Sequence, residues 1–354
     1  MPDYFKLVPV YLDNVNGNWY YKYANYYAFD IGIKEFLEPE IPVNVSAGDI
    51  LYMPDWYLDD FLEAFKSNVY QNLKTNGVKI VVLVYDILPI QLPQYFPEGH
   101  NIKHAEWIKN VAKVADKIVC ISKSVAHAVE TFLNVDNLKI TYIHLGADIK
   151  KTMPTVGLPE DNILNILRSK ISFLMVGTIE PRKGYLQTIK AFDILWKQGY
   201  GINLVIIGKE GWLGAPDSAR RTIPEIIKTI KNHPELNNRL FWLSGISDEY
   251  LEKIYESSSC FIMASEGEGF GLPLIEAAKN KLPIIARDIS VYKEVASDYA
   301  YYFTNDTNPQ TLAKAIEQWL NLYKENKHPK SEGMKCLTWK ENVKRLLDVI
   351  FEGE

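Results

Sequence analysis

The chain has 354 residues, which is enough for about two domains of ordinary size. Its composition, 47% hydrophobic and 23% charged, is that of a globular protein and excludes disordered and collagen-like chains. The 39 basic and 44 acidic residues leave a net charge of −5, which argues against a nucleic-acid partner. Any anion that the protein binds must therefore be held at a local site.

The cysteines and the hydrophobic runs limit the location of the protein. Cys120, Cys260 and Cys336 are far apart and odd in number, so they predict neither a disulfide framework nor a zinc motif. No basic segment followed by an apolar run opens the chain, and the longest aliphatic runs have strand length. We therefore expect a cytoplasmic protein with no membrane span, and peripheral contact with the cytoplasmic face of the membrane stays open.

The first segment has the pattern of a β-hairpin. Residues 7–12 and 18–23 flank the pair Asn16-Gly17, which favours the positive φ angles of a type I′ turn. Six aromatic residues crowd positions 19–27. They could stack on sugar rings or pack the hairpin onto a core, and packing is the commoner use of such residues.

Short strands alternate with longer amphipathic helices along the rest of the chain, which predicts parallel sheets and an α/β fold. Strands are predicted at residues 50–53, 79–85, 117–122, 139–144, 171–176, 203–207, 240–243, 260–263 and 283–286. Helices are predicted at residues 59–75, 104–115, 124–133, 185–198, 223–231, 248–256, 274–280, 290–295, 309–325 and 339–351.

The alternation is interrupted once, by a polar stretch that contains two prolines and a glycine, and we interpret it as a linker. The prediction is a Rossmann-like domain at 1–150, the linker at 151–165, a second Rossmann-like domain at 166–335 and a final helix at 336–354. Two such domains place a cleft between the carboxyl ends of their strands, where ligands of open α/β sheets bind.

The strongest motif is Ser265-Glu-Gly-Glu-Gly-Phe-Gly-Leu-Pro-Leu-Ile-Glu276, directly after a predicted strand. Its glycines allow backbone amides to approach a ligand, and the following helix directs its positive end there. Glu268 and Glu276 could both face that ligand. Alternatively, the glycines only form a tight turn and the glutamates complement the helix dipole.

A second motif, Val176-Gly-Thr-Ile-Glu-Pro-Arg-Lys-Gly184, also lies between a strand and a helix. Arg182 and Lys183 put two cations at the end of the strand, where a guanidinium and an ammonium could hold a diphosphate. Exposed Arg-Lys pairs are often merely solvated. The two motifs occur in one domain, and each strengthens the interpretation of the other.

Together these residues resemble the GT4 family of retaining glycosyltransferases, which have the GT-B fold. The run from Glu268 to Glu276 is similar to the E-x7-E motif of that family, and 176–184 is similar to its donor-diphosphate loop. Residues 204–212 resemble the next strand and turn, while 85–89 and 119–124 resemble acceptor-side segments. The resemblance covers residue 46 to the end and is most specific in the second half.

The resemblance implies a role for each site residue. Glu276 would bind the ribose hydroxyls of a nucleotide diphosphate sugar, Glu268 the transferred sugar, and Arg182 with Lys183 the diphosphate. The remaining donor-binding positions would be Gly177, Thr178, Gly208, Lys209, Gly269, Phe270, Gly271 and Leu272. Fixed cations and amide dipoles stabilise charge on a leaving diphosphate, and the sequence has no Asp-x-Asp triplet to hold a metal. We therefore expect metal-independent transfer with retention, without a cofactor.

The chain departs from the family pattern in two places. Many relatives have His before the acceptor-side Asp, whereas this chain has Tyr85 before Asp86. Asp86 is the candidate for accepting or orienting the proton of the incoming hydroxyl, or it only caps a turn. The Gly-rich loop expected near the N-terminus is missing, so the first domain is expected to be shortened, or the chain to be part of a longer polypeptide.

The activity that the resemblance implies is transfer of a hexose to a hydroxyl of a saccharide or lipid-linked saccharide in polysaccharide assembly. The acceptor motif looks most like bacterial surface-polysaccharide mannosyltransferases, so GDP-mannose is the leading donor. The alternatives are a nucleotide-sugar epimerase or hydrolase, and a non-catalytic saccharide-binding module. His100 and His104 are close in sequence but lack accompanying ligands, which argues against a metal site there.

Overall fold

The computed structural model describes residues 6–25, 27, 41–55, 58–134, 139–147 and 162–351. Contacts group the chain into two compact units. The first unit comprises the residues up to Ile90, Gly99–Ile143 and the residues from Val343 onward, and the second unit comprises Gln91–Glu98 and His144–Asn342. This grouping is not the sequence-contiguous one that we expected. Of the predicted linker, residues 151–161 lie outside the described part, and a helix begins at Ile163.

The predicted hairpin opens the first unit. Strands β1 (Val10–Val15) and β2 (Asn18–Tyr23) pair antiparallel. Asn16 and Gly17 have φ angles of 54° and 86°, as a type I′ turn requires. The predicted first strand, 7–12, began three residues too early, because the turn fixes the register and extends pairing up to Val15.

A four-stranded parallel sheet forms the core of the first unit, with strand order β3-β4-β5-β6. Its strands are β3 (Ile50–Met53), β4 (Lys79–Val84), β5 (Lys117–Cys120) and β6 (Ile140–Tyr142). Its helices are α1 (Leu58–Lys66), α2 (Val69–Thr75), α3 (Leu88–Gln91), α4 (His100–Val114) and α5 (Lys123–Leu133). Every residue of β4 after Lys79 is buried, as expected for a strand covered on both faces.

One predicted helix, 59–75, is two helices in the structure. The chain turns at Asn68, whose φ is 61°, in the left-handed region. Asn tolerates this conformation better than most residues because its short polar side chain can form local hydrogen bonds. The amphipathic spacing continues across the break, and for this reason the prediction of a single helix was wrong.

The second unit contains a six-stranded parallel sheet with the order β12-β11-β10-β7-β8-β9. Its strands are β7 (Ser172–Val176), β8 (Asn203–Ile207), β9 (Leu240–Leu243), β10 (Cys260–Met263), β11 (Ile284–Arg287) and β12 (Ala300–Phe303). Its helices are α6 (Ile163–Ser169), α7 (Tyr185–Lys197), α8 (Ile223–Lys231), α9 (Asp248–Ser257), α10 (Leu272–Lys279), α11 (Ser290–Ala296) and α12 (Pro309–Lys324). Helix α13 (Trp339–Phe351) begins in the second unit, and its residues from Val343 onward group with the first unit.

Aromatic side chains pack the core between this sheet and helices α7 and α12. Trp319 is fully buried, and its ring centroid lies 5.5 Å from that of Phe173 in an edge-to-face contact. Phe173 in turn contacts Phe192 at the same distance and with similar geometry. Such pairs stabilise a core beyond the area that they bury, and they fix the sheet whose carboxyl edge carries the candidate site.

Candidate functional site

Three loops leave neighbouring strands at the carboxyl edge of the sheet in the second unit. Residues 177–184 follow β7, residues 208–212 follow β8, and residues 264–271 follow β10. Since β7 lies between β10 and β8 in the sheet, the three loops lie side by side where parallel sheets bind ligands. Both motifs from the sequence therefore occur in one place.

The first two loops approach each other so closely that only glycine fits at position 208. A Cβ atom added to Gly208 would lie 1.8 Å from the carbonyl oxygen of Gly177. The loops are also joined by backbone hydrogen bonds from Gly177 N to Ile207 O, 2.9 Å, and from Ile179 N to Lys209 O, 2.8 Å. The backbone at Gly177 and Thr178 is thus held by its neighbour.

Arg182, Lys183 and Glu268 form one ion-pair cluster. Lys183 Nζ lies 2.5 Å and Arg182 Nη1 2.9 Å from the same oxygen, Oε1 of Glu268. Arg182 also donates a hydrogen bond to the carbonyl of Gly267, 2.8 Å, and pairs with Glu180 at 3.1 Å. The two predicted diphosphate ligands therefore converge on the first glutamate of the E-x7-E motif.

The electrostatics of this cluster depend on its burial. The side chains of Arg182 and Lys183 are 15% exposed and that of Glu268 is 10% exposed. Burial alone would raise the pKa of Glu268, but the charges and hydrogen bonds of Lys183 and Arg182 outweigh it and lower the pKa below the usual carboxyl value. Glu268, in the loop that follows β10, is therefore ionised near neutral pH, and its carboxylate pairs with both cations.

The loops after β7 and β10 are fastened to each other by backbone contacts. Glu266 N donates to the carbonyl of Arg182 at 2.8 Å. Gly184 has a φ of 74°, and a Cβ there would lie 2.4 Å from the carbonyl oxygen of Ala264. Such contacts fix the cations relative to the glycine-rich turn, which is a form of preorganisation.

Helix α10 begins at this turn. Gly271 precedes it with a φ of 99°, and Pro273 occupies its first turn. Among the described residues, no side-chain hydrogen bond caps its first amides, so these amides keep the positive end of the helix dipole uncapped. Phe270 is buried, with its ring 5.4 Å from that of His144, whereas Leu272 is half-buried at the helix start.

Glu276 lies on α10, just past its first turn, and is held by a different group. The phenol of Tyr255 on α9 donates a hydrogen bond of 3.0 Å to its Oε2. Burial raises the pKa of Glu276, and the Tyr255 hydrogen bond partly offsets this. The two glutamates of the motif thus have pKa values that shift in opposite directions.

Three residues of this site were missed by sequence reasoning. They are Tyr185, Tyr255 and Arg287, each buried, with the partners that follow. Tyr185 donates to the carbonyl of Gly177 at 2.6 Å. Arg287 donates to the carbonyl of Ala264 at 3.0 Å and to Gln187 at 2.5 Å. The partners of Tyr255 and Arg287 lie more than twenty positions away, and that of Tyr185 lies eight positions away in a loop, so the hydrophobic pattern carries no signal for these contacts.

The segment Gln91–Glu98 also contributes to the second unit. The ring of Phe96 lies 6.4 Å from that of Trp212, and Arg221 Nε donates to the Phe96 carbonyl at 2.5 Å. Tyr95 hydrogen-bonds Glu266, and burial together with this carboxylate raises its pKa. The segment therefore contacts both the β8 loop and the glycine-rich loop.

Asp86 lies in the first unit, at the carboxyl end of β4. Its Oδ1 accepts a hydrogen bond of 2.9 Å from Leu88 N, so it caps the start of α3, as one of the two interpretations of the sequence foresaw. His104 Nε2 lies 3.3 Å from the backbone oxygen of Asp86, and burial lowers the His104 pKa to about 4. The catalytic role of Asp86 stays a prediction.

Two predicted donor-binding side chains, those of Thr178 and Lys209, are exposed at the edge of the sheet. Within the described ranges, no three His, Cys, Asp or Glu side chains form a group that could hold a metal ion. Among the same residues, no helix is long and apolar enough to cross a membrane.

Comparison with known proteins identifies the family. Residues 160–335 match the family model for glycosyl transferases group 1. Over 337 residues the chain is 40% identical to the serotype-specific mannosyltransferase WbdA of Escherichia coli. The chain belongs to the group 1 glycosyltransferase family. The match covers 92% of this chain and 40% of WbdA, so the glycosyltransferase chain spans about two fifths of that relative.

The chain is also similar to a second relative and to two solved structures. The O-antigen chain mannosyltransferase RfbU of Salmonella typhimurium is 26% identical over 67% of this chain and 60% of its own. Sucrose-phosphate synthase from Thermosynechococcus elongatus matches with a TM-score of 0.64 at 16% identity, over 85% of this chain and 72% of its own. Anabaena Alr3699/HepE in complex with UDP and glucose matches with a TM-score of 0.62 at 15% identity, over 86% and 78%. The chain therefore has the GT-B fold, with two Rossmann-like domains, as its sequence predicted.

Proposed function

We propose that the chain is a retaining, metal-independent mannosyltransferase that takes GDP-mannose as donor and a saccharide or lipid-linked saccharide as acceptor. The observation that carries the proposal is the convergence of Arg182 and Lys183 on Glu268 beside the first turn of α10. The mannose assignment is supported by the relatives, whose names are those of mannosyltransferases. The protein would be cytoplasmic. If its acceptor is lipid-linked, it would act at the cytoplasmic face of the membrane.

The donor would bind across the three loops. The ribose hydroxyls would contact Glu276, the sugar hydroxyls Glu268, and the diphosphate the two cations. The diphosphate would also approach the backbone at Gly177 and the amides from Gly269 to Leu272. Glu268 and Glu180 together balance the charge of the two cations, so a bound diphosphate would compete with these carboxylates for the N–H donors of both cationic side chains.

The proposed mechanism depends on where negative charge develops during sugar transfer. Breaking the bond between the anomeric carbon and the phosphate oxygen places negative charge on the leaving diphosphate, which the cations and amides stabilise. The acceptor hydroxyl would attack from the face that the diphosphate leaves, with a leaving phosphate oxygen taking its proton. Residues of this chain thus supply the charge stabilisation that a divalent metal supplies in other sugar transferases.

The test is a transfer assay with GDP-mannose and saccharide acceptors in excess EDTA. We expect mannosyl transfer by the wild type, and at least about a hundredfold loss in Arg182→Ala and Glu276→Ala. Arg239→Ala is the matched control, because Arg239 pairs with Glu235 at 2.6 Å elsewhere in the second unit. Near wild-type activity in Arg182→Ala or Glu276→Ala, or activity that returns only with Mg²⁺ or Mn²⁺, would contradict the proposal. Sugar release without an acceptor product would indicate a hydrolase instead.

A further inference from the structure

The pair formed by Tyr255 and Glu276 joins two helices that both begin at the carboxyl edge of the sheet. Tyr255 lies on α9, which ends just before β10, and Glu276 on α10, which follows β10. Side chains on a helix lean toward its N-terminus, so both lean toward the edge that carries the loops. The ring of Tyr255 lies next to the ring of Phe261 in β10, at a centroid distance of 6.1 Å.

The hydrogen bond between them has a fixed direction. Burial and the nearby Glu276 charge raise the pKa of Tyr255 far above the usual phenol value, so the phenol keeps its proton and must donate. It donates to Oε2 of Glu276, and no other hydrogen bond reaches this carboxylate from the residues that the structure describes. The Glu276 side chain is half-buried, so part of it faces solvent.

We infer that Tyr255 is a positioning residue that fixes the rotation of the Glu276 carboxylate, so that Oε1 is presented to the two ribose hydroxyls of a nucleoside diphosphate. A glutamate side chain has a broad terminal torsion, and without the phenol both oxygens would rotate freely. This inference rests on the proposed donor site. It adds a residue from another helix whose hydroxyl hydrogen-bonds the carboxylate.

A comparison of the two glutamates of the motif shows why Tyr255 is needed to fix the carboxylate of Glu276. Glu268 is held by two cations through one oxygen, whereas Glu276 has Lys279 and Asp248 as more distant charged neighbours of opposite sign. A phenol fixes a carboxylate without neutralising it, and so its charge remains available to ribose hydroxyls.

The experiment compares Tyr255→Phe with the wild type, because this change removes the hydroxyl and keeps the ring. The probes are GDP, UDP and ADP, titrated by calorimetry. For the nucleotide that binds wild type best, Kd should rise about ten- to a hundredfold in Tyr255→Phe, the loss expected for one hydrogen bond to a charged group. At saturating donor, kcat should change less than twofold, so the effect falls on KM.

Tyr200→Phe is the matched control. Its phenol donates a hydrogen bond of 2.7 Å to Glu317 Oε1. This Tyr–Glu pair lies at the amino end of β8, away from the loops. This variant should leave Kd unchanged. An equal rise in both variants would assign the loss to general destabilisation and overturn the positioning role.

A second measurement is independent of any ligand. The carboxyl carbon of Glu276 is followed by NMR during a pH titration of protein labelled with ¹³C-glutamate, and Glu276→Gln assigns the signal. Since the phenol lowers the pKa of Glu276, Tyr255→Phe should raise it, and Tyr200→Phe should not. An unchanged titration in Tyr255→Phe overturns the inference, whereas a failure of wild type to bind any nucleotide overturns only the proposed function.

Discussion

Glu268 and Glu276 lie eight positions apart in one motif, and the structure holds them by opposite means. Two cations lower the pKa of Glu268, and burial raises that of Glu276. In active sites, titratable groups with pKa values pushed apart commonly have separate roles. Here Glu268, with the lowered pKa, pairs with the two cations, and Glu276, with the raised pKa, is the residue proposed to contact the ribose.

Replacing Glu268 by Gln should destabilise the fold by about 1–3 kcal/mol near neutral pH, because the mostly buried Lys183 loses its ion-pair partner and Arg182 loses one of two. Since the folded pKa of Glu268 is lowered, its contribution is full above the unfolded value of 4.5 and is lost as pH falls through the folded value. Urea unfolding of both proteins measures this. A stability difference that does not shrink as pH falls below 4.5 would contradict the ion-pair account.

Binding of a nucleoside diphosphate should depend on the ionisation of Glu276. Its raised pKa means that the carboxylate is protonated, and the ribose contact weakened, at a pH where an ordinary glutamate with a pKa of 4.5 is still charged. Calorimetric titrations of wild type and Glu276→Gln at several pH values separate this effect from titration of the phosphate. Parallel pH profiles for the two proteins would show that Glu276 takes no part.

At the scale of the elements, the site depends on how tightly loops from neighbouring strands pack. The carbonyl oxygen of Gly177 fills the space that a side chain at position 208 would need, and the Tyr185 phenol donates a hydrogen bond to the same oxygen. Glycine at position 208 is therefore a packing requirement between two loops, and this explains its position directly after a buried strand.

Gly208→Ala should cost about 3 kcal/mol, since the added carbon meets backbone that cannot move without breaking the hydrogen bonds between the loops. It should also weaken nucleotide binding. Gly201→Ala is the control, because a Cβ at Gly201 has no neighbour within 4 Å. Thermal unfolding and calorimetry measure both effects, and equal stability of the two variants would refute the packing argument.

The break between α1 and α2 gives a smaller prediction. Asn68→Ala should destabilise the protein by about 1 kcal/mol, the cost of a left-handed conformation for an ordinary residue. Asn68→Gly should be tolerated. Urea unfolding distinguishes them, and a more stable Ala variant would mean that the two helices fuse.

Sequence patterns located the buried strands well. β8, β9 and β10 have the predicted bounds. β8 and β10 are buried throughout, as expected for short apolar runs inside a parallel sheet. Strand β12, with the sequence Ala-Tyr-Tyr-Phe, was missed because its two half-exposed tyrosines do not form an aliphatic run. The motifs indicated Glu268 and Arg182, whereas Tyr255 and Arg287 act through partners brought near only by folding.

At the scale of the whole molecule, the grouping of the chain is more interwoven than its sequence suggests. The segment Gln91–Glu98 follows the first-unit sheet in sequence, yet its contacts place it with the second unit. A domain division predicted from hydrophobic periodicity assigns residues that are neighbours in sequence to one domain. It therefore has no means of predicting that a short segment between two first-unit elements groups with the second unit. The family match at residues 160–335 likewise omits this segment.

The central claim is that this chain transfers mannose with retention from GDP-mannose, using its own cations at the diphosphate. The most direct measurement is NMR of the product formed from GDP-mannose and a saccharide acceptor in excess EDTA. The account predicts an α-mannosidic product, with the anomeric configuration of the donor, and GDP release in equal amount. A β-linked product, or GDP release without any glycosidic product, would contradict it.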